Sequence, residues 1–307
     1  MNRDKAIRMW DVMEEAYSAR SQGYRMDYSI EWIAPFQIFG NLYYVGEKVV
    51  CMYLVDTGEG LILFDTGFPH AKEQLFKNIQ LLGFQLEDIR FIFHSHEHYD
   101  HFGATHDLQQ LYGCKTFISK YGADVFRNHP EHTEIQSSMC PDARFYHPDV
   151  ELEDGDEIRC GNTTVKCVYN PGHSAGSMSY LFDVTDGNRV LRAGICGIGG
   201  FTTLHIGRLL KYGIDLEARE QYIQSIEKLK QLKVDIALDT HPRPKGIIEK
   251  REQMLANPGS NPLIDPDEWG IMLDDYLVRY QSFLKKEAAQ LSDDAENQVD
   301  PKDMIKN

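Results

Sequence analysis

The sequence has no CxxC pair, no uninterrupted apolar run of 18 residues and a shortage of positive charge, with 32 Lys and Arg against 47 Asp and Glu, a formal net charge of -15. Each absence excludes something. Without a long apolar run no helix can span a bilayer. The first residues, MNRDKAIRMWDVMEEAYSAR, mix both charge signs where a signal peptide needs a continuous apolar stretch, so a cytoplasmic protein is expected. Six scattered cysteines (Cys51, Cys114, Cys140, Cys160, Cys167 and Cys196) suit buried, reduced thiols better than a disulfide framework or a thiolate zinc site. An acidic chain without a basic stripe repels phosphate backbones, which argues against a nucleic-acid partner. At 42% hydrophobic and 26% charged residues the composition is that of a globular protein.

Residues 1–33 read as a leading helix and connector. A β-rich stretch opens at residues 36–44, and residues 49–55 pair with 61–64 as a hairpin around the turn Thr57-Gly58-Glu59-Gly60. Leu75, Phe76, Ile79 and Leu82 mark one helix face, stopped by Gly83. The apolar run Phe91-Ile92-Phe93 reads as a buried strand, a helix ends at Gly113, and residues 115–119 form another strand. Residues 124–149 read as a long polar loop containing Pro130, Pro141 and Pro148, a length that is usually functional. Strands return over 150–169 and 178–193, joined by Gly, Asp and Asn turns. Asp215 caps a helix bearing Ile223, Ile226 and Leu229, and residues 234–238 make a further strand. Asp265 and Pro266 start a final helix with Trp269, Leu273, Tyr276, Tyr280 and Phe283 on one side.

Two strand-rich halves, each with helices, imply an α/β protein of four layers, an αββα sandwich with a carboxyl-terminal helical extension. The boundaries expected are 1–33 for the leader, 34–245 for the sandwich, 246–291 for the extension and 292–307 for a disordered tail. The extension is expected to dock on the sandwich or to pair with a second subunit in a homo-oligomer.

The chemistry is concentrated in His94-Ser95-His96-Glu97-His98-Tyr99-Asp100-His101-Phe102-Gly103, with four histidines and an aspartate inside eight positions. A strand feeding a loop puts His96 and His98 on one side, while Asp100 and His101 diverge toward a second point. That spacing suits two metal ions. Zinc accepts imidazole and carboxylate, and a catalytic zinc keeps a place for water beyond three protein ligands. More ligands are therefore needed. His173, in the turn Asn170-Pro171-Gly172-His173-Ser174, and His241, after the last strand, are the candidates, with ordinary loop histidines as the alternative.

H-x-H-x-D-H after an apolar strand, followed by P-G-H-S-x-G-S, resembles the metallo-β-lactamase superfamily. The similarity is nearest to the third subclass of class B β-lactamases, through residues 35–46 (PFQIFGNLYYVG), 64–67 (FDTG) and 83–89 (GFQLEDI), and extends over about 34–245. The resemblance implies two Zn2+ ions, the first held by His96, His98 and His173, the second by Asp100, His101 and His241. It implies that Asp65 supports a ligand histidine, although a turn-forming aspartate is the alternative. Two such ions share a water whose pKa falls toward about 7, and the resulting hydroxide attacks the carbonyl of a β-lactam-like amide in a small-molecule substrate. Asp100 can accept a proton during cleavage, but ligation is its main role. A lactonase or another ester or thioester hydrolase is the enzymatic alternative, and a metal-binding module without turnover the non-enzymatic one.

Departures from the family pattern matter as well. Many superfamily hydrolases place a metal-bridging aspartate where this chain has Ile195, and another subclass places a cysteine there, one position from Cys196. The serines that often hold a β-lactam carboxylate are missing near Ile195 and Gly197, which weakens a drug substrate and leaves Ile195, Gly197 and Arg243 as the substrate-side candidates. His98 stands where iron-binding relatives carry an acidic residue, favouring zinc. His94 is expected to be structural, Tyr99 to pack away from the metals, and His129, His132, Tyr146 and His147 to be exposed or packed within their loop. Specificity is expected in loops 124–149 and 197–212.

Overall fold

Among the residues that the computed structural model describes (2–26, 31–138, 140 and 143–292), the strands form two sheets. One has the order β1 (Phe36–Phe39), β2 (Leu42–Tyr44), β3 (Tyr53–Asp56), β4 (Leu61–Phe64), β5 (Ile89–Phe93), β6 (Lys115–Ser119) and β7 (Val150–Leu152). It is antiparallel up to β4 and parallel beyond. The other runs β8 (Glu157–Cys160), β9 (Thr163–Tyr169), β10 (Met178–Thr185), β11 (Val190–Cys196) and β12 (Ile236–Asp239), with only β11 and β12 parallel.

The side-chain period of two in a strand sorts these residues into layers. Along β10, Tyr180, Phe182 and Val184 enter the core between the sheets, whereas Leu181 joins the cluster on the outer face. The inter-sheet core is largely aromatic. Phe64 stacks on Phe182 at 4.8 Å and Phe93 on Phe117 at 4.5 Å, each such ring contributing about 1.5–3 kcal/mol through burial. Helices α2 (Lys72–Leu81) and α3 (Thr105–Tyr112) cover the outer face of the first sheet through Leu75, Ile79 and Leu108. On the second sheet lie α6 (Ala218–Leu229) and α8 (Glu268–Leu291), joined by α1 (Arg3–Met26) through Trp10 and Met13. This is the four-layer αββα sandwich that the sequence implied.

Two helices were not foreseen, and a third opens the segment expected to be a helical extension. Running into the segment read as a loop, α4 (Lys120–Asn128) starts at Ser119, whose Oγ accepts a bond from Gly122 N at 3.0 Å. The cap is the last residue of β6, so no turn separates strand from helix. Short 3-10 turns follow at Pro130–Thr133 and Ile135–Ser138. Helix α5 (Ile206–Tyr212) is capped by His205, a residue type outside the usual Ser, Thr, Asp and Asn set. Helix α7 (Ile247–Ala256) precedes α8. The hairpin strand expected from residue 49 begins only at Tyr53, because residues 48–50 bend to face His241.

In α8 the stripe Trp269, Leu273, Tyr276, Tyr280 and Phe283 is buried against this same chain, so it is not a face left for a second subunit. Glu287 near its end pairs with Arg219 at 2.6 Å and accepts a bond from Ile206 N at 2.7 Å. No helix among the described residues is long and apolar enough to cross a membrane. The expected tail lies, beyond Ser292, outside the described residues.

His205 gives this region a pH dependence. It is fully buried, and burial first, then the Arg219 charge, lower its pKa to about 4. An unfolded-chain histidine titrates near 6.5, so the stabilising neutral form is fully effective above about 6.5 and its contribution fades as pH falls toward 4, roughly 3 kcal/mol in all. His205→Asn keeps an acceptor for Gly207 N but cannot ionise. Its urea midpoint is expected to fall less than the parent's between about pH 7 and 4.5.

Candidate metal centre

The site gathers at one edge of the sandwich, where strand ends from both sheets meet. In parallel sheets this edge is the usual place for ligands. β4 delivers Asp65, β5 the histidine-rich loop, β9 the turn with His173, and β12 the turn with His241. The loop is knitted to the turn after β4 by Thr66 N to His101 O and Gly103 N to Gly67 O, both 2.8 Å. Only glycine fits at 103. A Cβ there would stand 2.2 Å from the Phe68 carbonyl carbon.

Two sets of donors face inward. His173 Nε2 lies 3.2 Å from His96 Nε2 and 3.1 Å from His98 Nδ1. Next to them, His101 Nε2 lies 3.1 Å from His241 Nε2, and Asp100 Oδ2 is 3.5 Å from each. The ligand atoms of His96, His98 and His173 lie within 4.8 Å of one another, as do those of His96, Asp100 and His101.

The far sides of the rings fix which nitrogens are protonated. His241 Nδ1 donates to Val49 O at 2.8 Å, His101 Nδ1 to Asp65 Oδ2 at 2.8 Å, and His173 Nδ1 to Gly200 O. With those nitrogens carrying hydrogen, the facing Nε2 atoms of neutral rings present lone pairs to one another at about hydrogen-bond distance. Lone pairs so placed repel unless a cation lies among them, and the donor set therefore fits divalent ions. Burial, reinforced by neighbouring imidazoles, pushes His96 and His98 well below the ordinary histidine range, and burial takes His173 to about 3. Neutral rings result, in the form that could ligate a cation. At His101 burial also pulls downward, but Asp100 and Asp65 outweigh it and raise the pKa.

Against this geometry stand the comparisons with known proteins. Residues 45–241 match the family model of the metallo-beta-lactamase superfamily. The chain belongs to that superfamily. The crystal structure of BJP-1, a subclass B3 metallo-beta-lactamase of Bradyrhizobium japonicum, is similar with a TM-score of 0.74 and 28% identity, over 85% of this chain and 97% of that one. The probable polyketide biosynthesis zinc-dependent hydrolase PksB of Bacillus subtilis is 30% identical over 34% of this chain and 40% of its own length. An N-acyl homoserine lactonase of Bacillus cereus is 26% identical over 46% of this chain. The chain thus spans less than two thirds of these curated relatives, 40% and 61% of their lengths. The shared ground is a metal-dependent hydrolase of the superfamily with subclass B3 structural neighbours.

Asp65 carries more than a turn. Its carboxylate is buried and accepts bonds from Ser95 N (2.7 Å), Ser95 Oγ (2.7 Å) and His101 Nδ1 (2.8 Å), with the backbone at φ 57°. His94 is the structural residue expected, its ring bonded to Thr105 Oγ1 at 2.7 Å and stacked on Tyr146 at 4.4 Å. Tyr146 is thus buried, whereas His129 and His147 are exposed and His132 half-buried. Tyr99 packs on Phe68 and borders the cleft.

The three substrate-side candidates differ in their surroundings. Ile195 lies in the inter-sheet core and Cys196 in the cluster on the opposite face, so alternation turns the thiol away from the second donor set. Gly197 has no room for a side chain: a Cβ would stand 2.0 Å from Met178 O. Arg243 borders the cleft and is held by two carboxylates, with Nε 2.7 Å from Asp239 Oδ2 and its Nη2 on Glu268. Burial lowers its pKa, and the two carboxylates more than restore it.

Some site residues escaped the sequence reading. Glu97, between two ligand candidates, is buried and binds the His173 turn through Ser174 Oγ (2.9 Å) and Gly176 N (3.2 Å). A lone acid between two candidate histidines was the available signal. The cleft before the donors measures about 650 Å3, and Trp10 of α1 with Tyr276 and Arg279 of α8 form part of its wall, all from outside the matched 45–241 segment.

Proposed function

We propose that the protein is a dinuclear zinc hydrolase acting on a β-lactam-like amide, with His96, His98 and His173 holding one ion and Asp100, His101 and His241 the other. One observation carries the reading: six donors from remote parts of the chain converge in two adjoining sets, in a chain similar to subclass B3 enzymes. Bound zinc ions supply an ionised water near neutral pH and polarise a carbonyl oxygen. The protein's own groups do the rest. Asp65 fixes the His101 tautomer so that Nε2 faces inward, and Val49 O does the same for His241. Asp100, beside the reacting edge, is placed to take a proton as the amide bond breaks, secondary to its role as a ligand. The cleft, walled by Phe68, Tyr99 and Tyr276, orients the substrate and limits water.

A second reading, a lactonase, is favoured by two features. Ile195 and Gly197 offer no hydroxyl to a substrate carboxylate, and the chain resembles a named lactonase over 46% of its length. Nitrocefin and a panel of lactones, incubated with the zinc-loaded protein, separate the two. Nitrocefin hydrolysis that is lost to a chelator and restored by Zn2+ is the expected result. Turnover of lactones alone would move the assignment to the second reading, and no turnover by protein holding two equivalents of zinc would overturn both.

A further inference from the structure

We infer that helix α8 is the positioning element for His241, through a buried charge network that latches the turn after β12. The inference rests on the reading of His241 as a ligand of the second ion. Asp239, two residues before His241, is almost fully buried. Its carboxylate accepts bonds from Arg243 Nε at 2.7 Å and from Tyr276 Oη of α8 at 3.1 Å. The Arg243 guanidinium then reaches Glu268, the first residue of α8, and Lys250 Nζ of α7 closes the chain 2.8 Å from the other Glu268 oxygen.

Two cations and two anions balance in this network, and the side chains of Arg243 and Glu268 are only 9% and 12% exposed. Such a cluster has one good arrangement, since removing a single charge leaves another uncompensated in a poorly solvated place. It grips His241 from both sides in sequence, at Asp239 and at Arg243. The backbone between is pinned as well, by Tyr53 Oη to Asp239 O at 2.7 Å and Cys51 N to Thr240 O at 2.9 Å. The imidazole itself has its one far-side bond to Val49 O. A ring so placed takes its direction from the turn.

The first donor set is anchored differently. His96 bonds to Ser95 Oγ, and His173 to Gly200 O and Thr203 Oγ1, none of them in α7 or α8. Loosening the latch therefore acts on one set and spares the other. That asymmetry distinguishes a positioning role from general stabilisation by a packed helix.

The test is metal binding by the full chain, stripped of metal and titrated with Co2+ while the visible ligand-field bands and the heat of binding are followed. The parent is expected to take two equivalents. Glu268→Gln is expected to weaken the second about tenfold, the lower end of what loss of a ligand's outer partner costs, with the first within about twofold. Tyr276→Phe, which removes one hydroxyl and no charge, is expected to weaken the second about threefold, in line with loss of one hydrogen bond. If Glu268→Gln does not fold, Tyr276→Phe decides alone. Unchanged second-site affinity, or an equal loss at both sites, overturns the latch. A His241→Ala control separates the two claims: retention of two equivalents by that variant would overturn the ligand reading itself, whereas its loss of the second equivalent beside an unaffected Glu268→Gln would overturn only the latch.

Discussion

A His173→Ala variant is expected to turn over substrate at least about 10³-fold more slowly than the parent, since metal-assisted hydrolysis depends on several kcal/mol of charge stabilisation that a lost ion no longer provides. The reasoning is geometric. His173 Nε2 lies within 3.2 Å of donor atoms of both His96 and His98, so without it the first set keeps two neutral imidazoles and no third ligand. Two protein ligands fall short of the three that catalytic zinc sites use. The fold itself has little stake in the ring, which sits in a turn after β9 and outside the main core clusters. Circular dichroism and the urea midpoint of the metal-free protein are therefore expected to stay near parental values while bound zinc drops by one equivalent. Two equivalents of zinc with parental turnover in His173→Ala would remove the first donor set from the mechanism.

What the sequence made legible was what short-range pattern controls. The donors His96, His98, Asp100 and His101 sit in one loop, and His173 and His241 each follow a strand, so their convergence at one edge follows from the two-sheet architecture. Alternation likewise assigns Ile195 and Cys196 to opposite faces once the pairing of β11 with β10 is known. Other features depend on partners that no local pattern announces. Arg243 is bound to Asp239 only four residues away, but the charge that holds it in place, Glu268, lies at the start of a helix whose docking is tertiary. Helix α5 went unseen because its cap is a histidine, and α4 because its cap serves as a strand residue too. Glu97 reads as a solvated charge until Ser174 and Gly176 are brought to it from 77 and 79 residues away. The aromatic stripe of α8 was visible as a stripe, while the surface that covers it was not.

Asp65 links stability to metal binding, and two substitutions are expected to separate these roles. In Asp65→Ala the amide and hydroxyl of Ser95 and the Nδ1 of His101 lose their common acceptor inside a buried site. Unsatisfied buried donors cost about 1–3 kcal/mol each, and a β-carbon without a local hydrogen bond is disfavoured at φ 57°, so a loss of about 4 kcal/mol is expected. Asp65→Asn acts otherwise. Asparagine tolerates the left-handed backbone and its carbonyl can still accept from Ser95 N, but its amide N–H groups now face Ser95 Oγ and His101. The imidazole then does best with Nδ1 as acceptor, which puts the proton on Nε2, the atom that must ligate. Affinity for the second ion is expected to fall about 10- to 100-fold, as when the outer partner of a metal-bound histidine is removed, while the urea midpoint of the metal-free protein moves far less than in Asp65→Ala. Parental affinity for the second equivalent in Asp65→Asn would show that the carboxylate fills a turn and does not set the His101 tautomer.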